Sequence, residues 1–152
     1  MIFVKFKSKV RFVNNSIWYI SKYGSINNDF GPTRIYGYSK WFSKLGCEVT
    51  MIYSKSNGLN NCKQKKLSHK THYDNFKQIQ INGPNIKLGF SIKRILSWII
   101  FEINLFRFLF KQKEYPTTVI VSSLSLLTIL NGLYLKRKGV KFVLEIRDIW
   151  PF

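Results

Sequence analysis

Short β-rich runs alternate with helical patterns along this chain, and that alternation admits few folds. Residues 16–20 (SIWYI) read as a first strand, and residues 21–32 as a turn-rich loop carrying Gly24, Asn27, Asn28, Gly31 and Pro32. Residues 33–46 place Ile35, Tyr38, Phe42 and Leu45 at 3-4-3 spacing, which predicts a helix with one apolar face that Gly46 stops. Further strands are predicted at 48–53 (EVTMIY), 76–81 (FKQIQI), 117–123 (TTVIVSS) and 141–146 (KFVLEI). Helices are predicted at 91–111 and 124–139, the second with cations in its last turn and Gly139 after it. A polar, Lys-rich loop fills 54–75. Strands separated by helices require right-handed crossovers and a parallel sheet. The expected fold is therefore α/β, a Rossmann-like parallel sheet of about five strands in the order 3-2-1-4-5 with helices on both faces.

In such a sheet the chain reverses direction between the first and fourth strands, and ligands bind outside the carboxyl ends there. Three loops reach that edge: 21–31, 122–125 and 147–150. Gly31 lies just before a helix start, where backbone N–H groups favour an anion, and Gly24 is a second glycine in the same loop. Turn geometry alone would also account for either. Arg34 sits in the first helical turn, where a cation opposes the helix dipole, which suits an anionic ligand or an acidic partner, and a solvated arginine accounts for it equally well. Ser122 and Ser123 are small polar residues that let a ligand approach. The final strand delivers Arg147 and Asp148 to the edge. Asp148 suits a hydrogen bond to a hydroxyl, and Arg147 suits phosphate or a pair with Glu145, which shares its strand face.

At 152 residues the chain has room for one domain with a real core. Its 25 Lys and Arg against 7 Asp and Glu give a formal charge of +18, which calls for something anionic: lipid head groups, nucleic acid or the phosphates of a sugar nucleotide. Cys47 and Cys62 form no CxxC spacing, so neither a zinc site nor a disulfide framework is expected, and a reducing cytoplasm is the simple reading. His69 and His72 lack a nearby ligating partner. No metal site, P-loop, complete G-x-G-x-x-G or G-x-S-x-G motif is present. The first fifteen residues interleave four cations with apolar side chains, unlike a signal peptide. The longest apolar run, 95–110, contains Glu102, Asn104 and Arg107 and is too short to span a bilayer.

The helix at 91–111 aligns Lys93, Ser97, Asn104 and Lys111 on one line, with Arg94 and Arg107 flanking and Ile, Leu, Phe and Trp98 around the rest. That pattern suits either a helix covering the sheet or one lying on anionic lipid, with Lys93, Arg94, Trp98, Arg107 and Lys111 as membrane contacts.

Three segments, IWYISKYGS, FGPTRIYGYSKWFSKLGCEVTMIYS and TTVIVSSLSLLTILNGLYLKRKGVKFVLEIRDIWP, resemble the amino-terminal domain of bacterial glycosyltransferase family 4. The likeness is to the branch of surface-polysaccharide clusters (O-antigen, capsule, colanic acid), and LEIRDIWP is its most specific part. The resemblance implies half of a GT-B fold: residues 1–15 as a basic extension and 16–152 as the acceptor-side domain, truncated before the donor domain. It implies a retaining transfer from a nucleotide diphosphate sugar to a polyprenyl-linked or polysaccharide acceptor, at the inner face of the cell membrane. Asp148 would be catalytic, with Gly24, Gly31, Arg34, Ser122, Ser123 and Arg147 binding substrate or phosphate. No cofactor is implied, because protein cations and helix dipoles neutralise the leaving diphosphate. The isolated chain would be inactive, since the site lies between two domains. A rival reading is a non-enzymatic basic module on anionic membrane or nucleic acid. Here the cations are scattered and no nucleic-acid-binding module appears.

Overall fold

Alternation of inward and outward side chains on each strand builds the two faces of one sheet. The computed structural model describes residues 11–25, 33–55, 75–84, 92–122 and 127–146. Its elements are β1 (Arg11–Ser21), α1 (Arg34–Lys44), β2 (Glu48–Ser54), β3 (Phe76–Ile81), α2 (Ile92–Phe110), β4 (Glu114–Ser122), α3 (Thr128–Arg137) and β5 (Lys141–Glu145). All five strands pair in parallel, in the order β3-β2-β1-β4-β5. The expected α/β Rossmann-like sheet, with its direction change between β1 and β4, is what the chain forms.

The two faces have separate cores. Ile20, Ile52, Ile81, Val119 and Val121 pack under Phe101, Leu105 and Leu109 of α2 and Leu135 of α3. On the opposite face Tyr19, Val49, Met51, Tyr53 and Phe76 pack around Ile35 of α1. Burying a side chain of this size stabilises the fold by about 1.5–3 kcal/mol.

β1 begins at Arg11, five residues before the predicted start, so residues 11–15 belong to the sheet. The register of β1 against β4 shifts between Val13 and Ile17, and Asn15 in that gap has φ 52°. Such a bulge breaks the two-residue period on which sequence reading depends. Side chains replace the missing ladder there. Ser16 N–H donates to Thr117 Oγ1 (3.2 Å), Thr117 Oγ1 donates to the Ser16 carbonyl (2.8 Å), and Thr117 N–H donates to Ser16 Oγ (3.2 Å). Pro116, opposite Val13, is tolerated in a central strand because it sits at this irregularity.

α1 keeps half of its predicted face, with Ile35 buried and Phe42 packed partly buried against the core. Its buried residues are Ile35, Ser39 and Ser43, while Tyr38, Trp41 and Leu45 are exposed. Two small serines let the helix lie close to the sheet. Tyr36 and Phe42 still pack against the core, while Tyr38 and Trp41 are left exposed along the groove beside β4 and β5.

Candidate functional site

The carboxyl ends of β1, β4 and β5 meet the amino end of α1, and polar side chains collect there. Tyr19 is 2% exposed, and its hydroxyl donates to Glu145 Oε2 at 2.6 Å across 126 residues of sequence. Arg34, at the start of α1, places Nη1 3.6 Å from Glu145 Oε1. Ser122 pairs in register with Glu145 and so stands on the same face. It is buried, and its hydroxyl has no hydrogen-bond partner among the described residues.

A groove of about 840 Å³ opens beside this cluster. Tyr38, Trp41 and Phe42 of α1 form one wall, Ile120 and Val143 form the floor, and Tyr19, Arg34 and Glu145 supply its polar end. Trp41 is 56% and Tyr38 48% exposed, so aromatic faces are presented to solvent. The groove exists because α1 covers β1 and β2, and no described element covers β4 and β5 on that side.

The amino end of α1 lacks a conventional cap. Thr33 occupies the N-cap position without a side-chain bond to the helix, and no acid lies in the first turn. Its hydroxyl serves the β1 loop instead, donating to the Ser25 carbonyl (2.7 Å) and accepting from Ser25 N–H (3.0 Å). The helix start is thereby tied to the end of β1. Its first-turn N–H groups are not engaged by that threonine.

Of the residues singled out from sequence, Arg34 and Ser122 reach this edge. Gly24 is buried, and a Cβ added there would lie 2.9 Å from Tyr53 Cβ and 2.8 Å from Met51 Cε. Close approach to β2 gives that glycine a packing reason. Gly31, Ser123, Arg147 and Asp148 lie outside the described residues.

The helix at Ile92–Phe110 corrects the expected membrane stripe. Ser97 is buried, and Asn104 Nδ2 donates to the Asn82 carbonyl at 2.9 Å, so the line through them faces the protein. Trp98 is turned inward as well. Its Nε1 donates to Tyr23 Oη at 3.0 Å. Arg107 and Lys111 are exposed, and the side chains of Lys93 and Arg94 lie outside the described residues.

Sequence reading missed Lys22. Only 3% exposed, it donates from Nζ to Ser97 Oγ at 2.9 Å and lies 5.4 Å from the Trp98 ring centre. A buried ammonium needs such partners, and the hydrogen bond and π face supply them. The effect is to pin the loop after β1 to α2. The available signal was strand alternation, which continues past Ile20 and puts position 22 on the α2 face. Glu145 was noted only as a neighbour for Arg147. Its contacts to Tyr19 and Arg34 span more than a hundred residues.

Among the described residues no three His, Cys, Asp or Glu side chains converge on a possible metal position. Neither a family model nor a curated protein nor a solved structure matches the chain.

Proposed function

We propose that this chain is the amino-terminal, acceptor-side domain of a retaining GT-B glycosyltransferase. It would serve transfer of a sugar from a nucleotide diphosphate to a polyprenyl-linked or polysaccharide acceptor at the inner face of the cell membrane. The supporting observation is the Tyr19–Glu145–Arg34 cluster at the end of an aromatic groove, on the switch edge of the sheet. The Glu145 side chain accepts hydrogen bonds from ligand hydroxyls. Trp41 and Tyr38 offer flat apolar faces to the C–H side of a sugar ring. Arg34 and the uncapped start of α1 favour phosphate.

On this reading a second domain supplies the nucleotide sugar and closes over the groove. Retention then follows from same-face attack by an acceptor held in the cleft. Asp148 and Gly31 would complete the site, as the family resemblance implies.

Two experiments test the proposal. Titration calorimetry of the 152-residue chain with a panel of nucleotide sugars should show weak binding at best, and no turnover. Micromolar binding or turnover by the chain alone would overturn the half-site reading. Joining a matching donor domain should create activity that falls at least tenfold with Asp148→Ala, Gly31→Val or Glu145→Gln, while the variants stay folded. Near-full activity in all three would remove this edge from the reaction.

A further inference from the structure

The layer formed by α2 and α3 is apolar on the side that faces away from the sheet. Ile95, Leu96, Ile99, Ile103, Phe106 and Phe110 are all exposed, Ile95 at 54% and Phe110 at 68%. At about 3.6 residues per turn they fall within roughly 100° of the helix circumference. Scattered exposed apolar residues are ordinary, but a continuous stripe marks an interaction surface. α3 extends it, because Phe106 meets Tyr134 edge-on at 5.1 Å and Leu130 and Leu133 are exposed nearby on the same helix.

The charges beside this face have one sign. Arg107 and Lys111 are exposed on the α2 side, and Lys138 Nζ sits 5.6 Å from the Tyr134 ring centre on the α3 side. The acid on α2, Glu102, is buried and accepts hydrogen bonds from Thr128 and from Asn131 Nδ2 (2.7 Å), and α3 carries no acid. A second copy would bring the same cations face to face, on chains of formal charge +18. An apolar stripe bordered by cations instead complements an anionic lipid surface. Among the described residues no helix is long and apolar enough to cross a bilayer. The matching arrangement is a helix lying in the interfacial plane.

We infer that the outer face of α2 and α3 docks on membranes of anionic phospholipid, with the α2 stripe entering the boundary between headgroups and acyl chains. The inference does not rest on the transferase reading, and its test uses no sugar.

The test is flotation and titration of the full chain with vesicles of phosphatidylcholine alone or containing phosphatidylglycerol. Binding should be at least tenfold tighter to the anionic vesicles and should weaken as salt rises. Each cation near such a surface is worth about fivefold in affinity, so Arg107→Gln, Lys111→Gln and Lys138→Gln together should weaken binding about a hundredfold. Ile99→Ser with Phe106→Ser, checked by circular dichroism for an unchanged fold, should weaken it more than tenfold with every cation in place. Equal binding to neutral vesicles, no vesicle binding, or indifference to both sets of substitutions would overturn the proposal. A concentration-dependent dimer that Phe106→Ser dissociates, in a chain that ignores vesicles, would assign the face to self-association instead.

Discussion

Glu145 is held by two partners of different strength, and a thermodynamic cycle can separate them. The Tyr19 hydroxyl donates to it at 2.6 Å from a side chain that is 2% exposed. A hydrogen bond to a charged group in such a setting contributes about 1.5–3 kcal/mol. Arg34 lies 3.6 Å away with its side chain 53% exposed. An ion pair of that kind contributes about 0.2–1 kcal/mol, after side-chain ordering and screening are taken into account. The coupling between Tyr19→Phe and Glu145→Gln should therefore be about 2 kcal/mol, and that between Arg34→Gln and Glu145→Gln under about 1 kcal/mol. Urea denaturation of the two single variants and the double variant of each cycle, alongside the parent, measures both. With a denaturant slope of about 2 kcal/mol per molar, the Tyr19 coupling corresponds to about 1 M in midpoint. High salt should erase the Arg34 coupling and leave the Tyr19 coupling nearly intact. A Tyr19 coupling below about 0.5 kcal/mol, or an Arg34 coupling larger than it, would refute this ranking. The ranking matters for function. If Tyr19 fixes Glu145, then Arg34 can turn to a ligand phosphate without releasing the carboxylate.

Other outcomes follow from the packing. Gly132→Ala would place a Cβ 2.2 Å from Phe142 Cε2. A helix gains about 1 kcal/mol from the exchange, but overpacking costs about 1–3 kcal/mol, so calorimetry should show a lower Tm that Phe142→Leu partly restores. Glu102→Ala removes the buried acceptor shared by Thr128 and Asn131 and should cost about 3 kcal/mol by urea denaturation, with loosened α2–α3 packing in hydrogen exchange. Burial, with the neighbouring Tyr115 hydroxyl, pushes the Tyr134 phenol from the ordinary 10.0 up to about 12. The unfolded chain then loses that proton first, so this contribution is complete below pH 10 and declines as pH climbs towards 12. Absorbance titration near 295 nm should show a late-ionising tyrosine that Tyr134→Phe removes.

The strand order was readable because each β-rich run is bounded by turns or by a helical pattern, and handedness leaves few ways to connect them. Legibility failed where a three-dimensional contact overrides a local period. Asn15 interrupts the alternation of β1, so the strand begins before its apolar pattern does. On α1, apolar spacing selected Ile35, Tyr38, Phe42 and Leu45, and the sheet takes Ile35 and Phe42 but Ser39 and Ser43 in place of Tyr38 and Leu45, because close approach favours small side chains. On α2, a line of polar residues looked solvent-facing, but Ser97 answers Lys22 and Asn104 answers the Asn82 carbonyl. The candidate site was legible only as an edge. Arg34 and Ser122 could be placed there from topology, whereas Tyr19 and Lys22 gave no local sign of their partners.

Topology also explains why the molecule presents two apolar surfaces and why they should not share a ligand. The step from β1 to β2 runs one way along the sheet and the step from β4 to β5 runs the other. Right-handed crossovers then put α1 on one face and α3 on the opposite one. The α1 face is left uncovered by described elements over β4 and β5, and the other face carries α2 and α3 with their own outer surface. Electrostatics separates the two. The groove ends in the Glu145–Arg34 pair, which offers one carboxylate to hydroxyls and one cation beside it rather than a uniformly basic border. The outer face of α2 and α3 exposes no acid of its own and is flanked by Arg107, Lys111 and Lys138. A Glu145→Lys change should consequently draw anionic lipid toward the groove while leaving the α2 face as it was.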